Sequence, residues 1–396
     1  MAIDYAGARP VRVRRRGERA AAAGSLARRL DWLLLGGVAA LVGYGLWAIG
    51  GITQADVARD ENYYLIRQAI FAALGALLLV AAVVVDPRTY RAHRRVLFGG
   101  LVGMLALVLL AGELTRGSRR WIDLGFFQFQ PSEFGKLLFV LVLAGFLADR
   151  GRRVTEWSTV LAAVGLGLLP IFLVFVQPDF GTSLVYGAAL AAVLFVSGAR
   201  WLHLGTLAAV AALVAVALLW ALPAAGVDVL KPYQTARLTA FTDPDADPSG
   251  STYNVNQSIV AVGAGGLRGR GVANATQTNL DYLPEHATDF VFASVAEQRG
   301  FLGASSLLLL YLLVLWRGIR IVSIAPDGYT TFVAGGIVVA LLFQIFVNVG
   351  MTMGIAPITG IPLPFVSVGG SSMISNLIAM GVLLAIAARG REAARR

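Results

Sequence analysis

The chain has 396 residues, of which 57% are hydrophobic and only 14% charged, with a mean hydropathy of +0.72. Soluble domains are nearer about 45–50% apolar and about 25% charged, so a water-soluble protein of this size is excluded. The 33 Lys and Arg against 23 Asp and Glu leave a net +10, a balance that nucleic-acid binders share but not at this hydropathy; the absence of Cys excludes a disulfide-stapled scaffold.

The sequence predicts an all-α integral membrane protein of about ten transmembrane helices. Apolar segments of helical length run roughly over 32–50, 65–85, 96–112, 134–148, 158–176, 183–198, 202–222, 300–316, 331–349 and 373–388. Transmembrane strands would be about 10 residues long with alternating polarity, which these are not. Residues 1–29 form a basic, Ala-rich tail with eight Arg, expected to be solvated and disordered beside anionic lipid. The ten-span domain covers 30–390, and 391–396 is a short C-terminal tail. A large extracytoplasmic loop, about 223–299, separates spans seven and eight.

Charge sorts by loop. The tail, Arg88, Arg91, Arg94 and Arg95, Arg150, Arg152 and Arg153, Arg200, Arg317 and Arg320, and Arg389 to Arg396 hold most of the cations. All lie in alternate loops, so both termini are expected in the cytoplasm. Most acids, and the polar Gly- and Pro-rich loops 113–132, 177–182, 223–299 and 350–372, fall on the other face. The chemistry is expected there.

The costly polar residues come next. In 113–136, Pro131 marks a helix start, and Glu133 and Lys136 share a helix face one turn into an apolar span. A charge there costs at least about 2.5–3.5 kcal/mol at mid-depth, so the two form a structural pair or line a substrate cavity. Arg119, Arg120 and Trp121 precede them. Two guanidiniums beside an indole suit a phosphate next to a sugar ring, and Trp is also ordinary interface material. Asp179, in QPDFGTS, is either a helix cap or an acid at a cavity mouth. The long loop contains Lys231, Arg237 and the turn-forming DPDADPSG; Gln257 to Leu267 is apolar and Gly-rich, suited to the membrane interface. Its Gly spacing follows no strand and is no dinucleotide site.

The stretch 280–303 places Asp281, Glu285, His286, Asp289, Glu297 and Arg299 directly before an apolar helix. Either the span begins near Gly300 and 289–299 is a polar helix at the membrane edge, or these charges line a wet cavity. Asp289, with Phe290 and Phe292 beside it, is a helix cap or a carboxylate whose semi-apolar setting suits a general base. Residues 350–373 are apolar yet broken by Gly and Pro, which membrane depth tolerates only under a cover of protein or around a water-filled cavity.

RGSRRWIDLGFFQFQPSE, QPDFGTS, QSIVAVGAGGLRGRG, YLPEHATDFVFA and GIPLPFVSVGGSS resemble, in order and spacing, the shape, elongation, division and sporulation (SEDS) family, which includes RodA and FtsW. The resemblance covers roughly 30–390, and TDPDADPSG, GIPLPF and ATQTNLDYLPE look more like the elongation member. It implies a peptidoglycan glycosyltransferase that polymerises lipid II outside the membrane with a class B penicillin-binding protein. Other elongation-complex membrane proteins are further expected partners, and nucleic acid is not. The resemblance carries the catalytic carboxylate to Asp289, the loop Arg and Trp to Arg120 and Trp121, and the P-S-E-x-x-K pair to Glu133 and Lys136. Expected substrate-binding residues are thus Arg119, Arg120, Trp121, Glu133, Lys136, Asp179, Arg237, Gln257, Glu285 and Glu297. Two departures stand out: the family's His directly before Thr-Asp is Ala287 here, with His286 one place earlier, and its paired acids are Glu297 and Gln298. No cofactor is expected beyond a divalent cation, magnesium or manganese, at the pyrophosphate, and no ligand cluster marks its place. A lipid II flippase and a division-type polymerase are the alternatives.

Overall fold

The computed structural model describes residues 28–54, 56–57, 60–115, 118–226 and 251–394. Most of the basic tail, Arg237 and the 243–250 turn lie outside the described residues.

Long apolar runs become helices wherever a cap or a proline can start them. In chain order they are α1 (Trp32–Ile52), α2 (Tyr63–Val84), the short α3 (Pro87–Ala92), α4 (Arg94–Ala111), α5 (Pro131–Arg150), α6 (Trp157–Val176), α7 (Phe180–Val196) and α8 (Trp201–Val216, continuing through a π turn to Ala224). After the long loop come α9 (Ser251–Ala264), the one-turn α10 (Thr276–Asn279), α11 (Val291–Ile324), α12 (Gly328–Thr352) and α13 (Gly370–Ala393). Asp31, Asp179 and Asp327 cap α1, α7 and α12 by accepting backbone N–H bonds. Pro131 opens α5, where its missing N–H costs nothing. Among the described residues nine helices are long and apolar enough to cross a membrane, and α7, at 17 residues, makes the tenth apolar helix.

The helices alternate in direction, so the bundle has two ends. At one end the start of α1 meets the end of α13. Asp31, almost fully buried, pairs with Arg317 of α11 and, at 2.8 Å, with Arg391 of α13. Burial alone would raise its carboxyl; the Arg317 hydrogen bond, the Leu34 N–H and both guanidiniums outweigh that and hold it below the ordinary value. Arg91 to Asp149 at 2.9 Å and Arg88 to Asp327 at 3.4 Å knit the neighbouring loops. The other end carries the functional loops. α13 is buried over nearly its whole length and packs against α2, α5 and α11. α8 stands apart and buries only His203, against Trp157.

Three features depart from the expected loops. Residues 113–129 form a small antiparallel sheet, β1 (Glu113–Thr115), β2 (Ser118–Asp123) and β3 (Gln128–Phe129), with β2 central and Ile122 opposite Phe129. The Gln257–Leu267 stretch contributes the end of α9, whose Val255 and Ala261 pack on Leu283, Phe290 and Ile358. α11 has 34 residues, roughly 50 Å at 1.5 Å per residue, longer than a bilayer core of about 30 Å. It breaks at Gly300 (φ 67°), which separates a polar segment over 291–299 from the span proper. That decides between the two alternatives for this stretch in favour of the edge helix.

Candidate active site

Two constellations meet at the loop end. In the first, Pro131 sets the phase of α5, so Glu133 and Lys136 fall one above the other. Their Nζ to Oε2 distance is 2.8 Å, and both side chains are buried. Beside them a narrow cleft of about 30 Å³ is lined by Glu133, Lys136, Gln344, Ser375 and Asn376 and walled by apolar residues of α5, α12 and α13. The pair is thus both a structural bridge and a polar lining. Asp179 likewise does two things. Its Oδ1 accepts the Thr182 N–H at 3.2 Å, the cap; its Oδ2 accepts from Gln130 Nε2 at 3.1 Å and Ser132 Oγ at 3.3 Å. Arg120 reaches Asp179 Oδ1 at 3.7 Å and stacks its guanidinium 5.0 Å from the Trp121 ring centre. Arg119, next to it on β2, is exposed.

The second constellation is the turn before α11. Ala287 O accepts the Val368 N–H at 3.0 Å, Thr288 O accepts from Ser367 Oγ at 2.5 Å, and Asp289 O accepts from Asn348 Nδ2 at 2.8 Å. Three successive carbonyls are pinned, with Phe290 and Phe292 buried alongside, while Asp289 itself stays half-buried. Glu285, in the left-handed region at φ 57°, accepts from Thr288 Oγ1 at 2.8 Å. The segment 363–371 joins the two constellations. Gln68 of α2 grips it through Ser367 O at 3.0 Å and the Gly369 N–H at 3.1 Å, and Ser371 Oγ accepts the Gln130 N–H at 2.9 Å.

Of the expected residues, Arg120, Trp121, Glu133, Lys136 and Asp179 gather in one place, and Glu285 and Asp289 in the other. Glu297 sits elsewhere in role: it is fully buried and accepts the Gln277 and Thr278 N–H groups and the Thr278 hydroxyl at 2.7–3.0 Å. Its carboxylate holds the start of α10. Gln257 lies half-buried on α9. Gln68, Gln130, Asn348 and Ser367 are the positions that the sequence reading missed. Gln68 and Asn348 carried a usable signal, being amides inside apolar spans.

His286 answers one of the two departures. Its Nε2 bonds Asp56 Oδ1 at 3.0 Å and its Nδ1 bonds Leu283 O at 3.2 Å. Both partners are acceptors, an arrangement that favours the doubly protonated ring. Burial would lower its pKa, but the hydrogen bond and charge of Asp56 outweigh burial and raise it. Asp56, Asp281 and His286 could bring three ligand atoms within 4.8 Å of one another. With the ring protonated, the Asp56–His286 contact is an ion pair; with it neutral, the same three groups offer a set of cation ligands.

A family model described as cell cycle protein, covering FtsW, RodA and SpoVE, matches residues 31–392. The chain belongs to this family. SEDS relatives include stage V sporulation protein E of Bacillus subtilis (strain 168), 38% identical over 341 residues, covering 85% of this chain and 90% of that protein. Peptidoglycan glycosyltransferase MrdB of Escherichia coli (strain K12) is 35% identical over 359 residues, covering 90% and 93%. Among solved structures, one described as "Structural coordination of polymerization and crosslinking by a peptidoglycan synthase complex" superposes with TM-score 0.77 at 33% identity, covering 93% of this chain and 99% of that one. The rod shape determining protein RodA of Thermus thermophilus gives TM-score 0.66 at 30% identity, covering 90% and 96%.

Proposed function

We propose that this SEDS protein is a peptidoglycan glycosyltransferase that polymerises lipid II on the outer face of the cytoplasmic membrane. The observation that carries the reading is the Asp289 turn. Within a family whose members are named for this activity, three successive carbonyls are held while one carboxylate stays half-buried at the loop end. Lipid II brings its own leaving group, so no nucleotide site is needed. The enzyme must neutralise a pyrophosphate and remove one proton.

On this reading Asp289 accepts the proton from the 4-hydroxyl of the acceptor GlcNAc. The freed oxygen pair forms a bond to the anomeric carbon of the donor MurNAc, and the bond from that carbon to the undecaprenyl pyrophosphate breaks with inversion. A positioned base contributes about 10²–10⁴-fold. Arg120 and Lys136 supply fixed positive charge toward the departing pyrophosphate, with Arg119 as a further cation of the same face. The termini end of the bundle is cytoplasmic by its Arg excess, which puts both constellations outside. A class B penicillin-binding protein is the proposed crosslinking partner, in line with the synthase complex that the fold matches. Identity does not separate elongation from division, since MrdB and an FtsW relative stand at 35% and 38%; GIPLPF and ATQTNLDYLPE favour elongation.

The test is purified protein with lipid II, with and without partner and divalent metal, followed by detection of glycan. Wild type makes polymer. Asp289→Asn, folded by thermal melting, makes at least about 10²-fold less. Polymer from that variant at the wild-type rate would sink the assignment of the base.

A further inference from the structure

A second cleft lies at the loop end, clear of the residues described above. It has a volume of about 350 Å³ and is lined by Trp47, Gly50, Gly51 and Gln54 at the end of α1, Leu65 at the start of α2, and Arg299 at the break in α11. The Arg299 guanidinium lies 4.0 Å from the centre of the Trp47 ring, whose residue is 53% exposed on the outside of the bundle. Gln298 fixes the two walls together by donating to Gly51 O at 3.1 Å. Here the departure from paired acids has a physical use, because a carboxylate could not make that bond.

Arg299 differs from the other enclosed arginines. Arg317 and Arg391 share Asp31, Arg94 has Asp149 and Arg120 has Asp179. Among the described residues no carboxylate and no hydrogen-bond acceptor reaches Arg299, and its Nε is enclosed without a partner. An indole face attracts a cation but accepts no conventional hydrogen bond, so the enclosed Nε still lacks an acceptor. What would balance it is an anion entering the cleft. Arg forks match phosphate oxygens in pairs, and an exposed Trp at a helix end sits at headgroup level. Leu65 offers an apolar wall beside the cation, which suits a phosphate attached to hydrocarbon.

We propose that this cleft binds the phosphate of a membrane lipid, with Arg299 paired to the phosphate oxygens and Trp47 and Leu65 against the adjoining chain. The source is either a phospholipid headgroup or a polyprenyl pyrophosphate. The site does not depend on the role of Asp289.

Native mass spectrometry of the full chain in detergent tests it, with four probes: phosphatidylglycerol, a phosphate-free diacylglycerol with the same acyl chains, a polyprenyl pyrophosphate, and inorganic phosphate. Wild type should retain one phosphate-bearing lipid at least about tenfold better than the diacylglycerol, and the lipid retained identifies the source. Arg299→Gln should lose the preference. Gly50→Leu fills the cleft while leaving Arg299 and Trp47 in place, and should lose it as well. Melting temperatures of both variants show that they are folded, and the wild-type comparison of probes stands even if one variant is not. Equal retention of the diacylglycerol by wild type, or wild-type retention by both folded variants, would overturn the proposal. So would inorganic phosphate raising the melting temperature as much as the lipid does, because the hydrocarbon would then contribute nothing.

Discussion

At the scale of single residues, Lys136 and Glu133 carry the clearest double duty. Their spacing in the sequence already placed them on one face of α5, and the 2.8 Å contact realises it. Removing one member of a buried pair strands the other, at about 3–5 kcal/mol. Lys136→Met should therefore melt well below wild type, while Glu133→Gln with Lys136→Met should regain most of the loss. If the lysine also faces the pyrophosphate, the double variant will be stable yet make little glycan from lipid II; a stable double variant with full activity would leave the pair a purely structural role. His286 gives a pH test. Its folded pKa lies above its unfolded value, so the Asp56 bond contributes fully below about pH 6.5 and is lost as pH rises through the raised value. Melting temperature should fall over that window in wild type and lose this component in Asp56→Asn. A slope unchanged by the substitution would place the titration elsewhere. Asp56 was invisible in the sequence because its partner lies 230 positions away, whereas Glu133 and Lys136 are three apart. Glu297 shows the converse case. A scarce acid at the right end of a span reads as functional, yet its oxygens are taken up by the backbone of α10.

At the scale of elements, the long apolar runs were legible because 20 or so residues without charge can do little else in a bilayer. The sheet over 113–129 was not: its strands are two to six residues long, too short for a period to show, and its place depends on Ser371 far along the chain. The break in α11 was half-legible. The depth argument for Arg299 demanded an interruption near Gly300, but only the fold shows why glycine stands there. Residue 300 has φ 67°, and a Cβ on it would come within 2.7 Å of the Arg268 backbone. The 266–271 loop runs back along the break, with the Arg270 and Gly271 N–H groups donating to Glu297 O and Gln298 O at 2.9 and 3.0 Å. Gly300→Ala should cost more than the roughly 1 kcal/mol of an ordinary αL substitution, since backbone must move as well. We expect a lower melting temperature together with reduced polymerisation, because Phe290, Phe292 and Asp289 hang from the displaced segment. An alanine variant that melts like wild type would mean that the loop gives way freely and the break is not fixed by this contact.

At the scale of the whole molecule, the decisive quantity is the distribution of charge and not its sum. The +10 divides so that arginines crowd the end where Asp31 gathers Arg317 and Arg391, and the opposite end keeps most of the acids. An even number of spans returns the chain to the side on which it began, so one determination of sidedness fixes every loop. The chain has no cysteine, which makes single-cysteine variants clean reporters. Arg95→Cys, between α3 and the body of α4, should react with a membrane-impermeant maleimide only after the cells are opened. Tyr282→Cys, exposed beside the Asp289 turn, should react in intact spheroplasts. Both sites lie outside the pinned carbonyls and the buried pairs, so neither substitution disturbs the bundle. The reverse pattern would put Asp289 on the cytoplasmic face, where lipid II is made rather than polymerised, and the glycosyltransferase reading would fail with it. Labelling of both sites from outside would break the even count of spans and point to α7, the shortest of the ten at 17 residues, as the helix that does not cross.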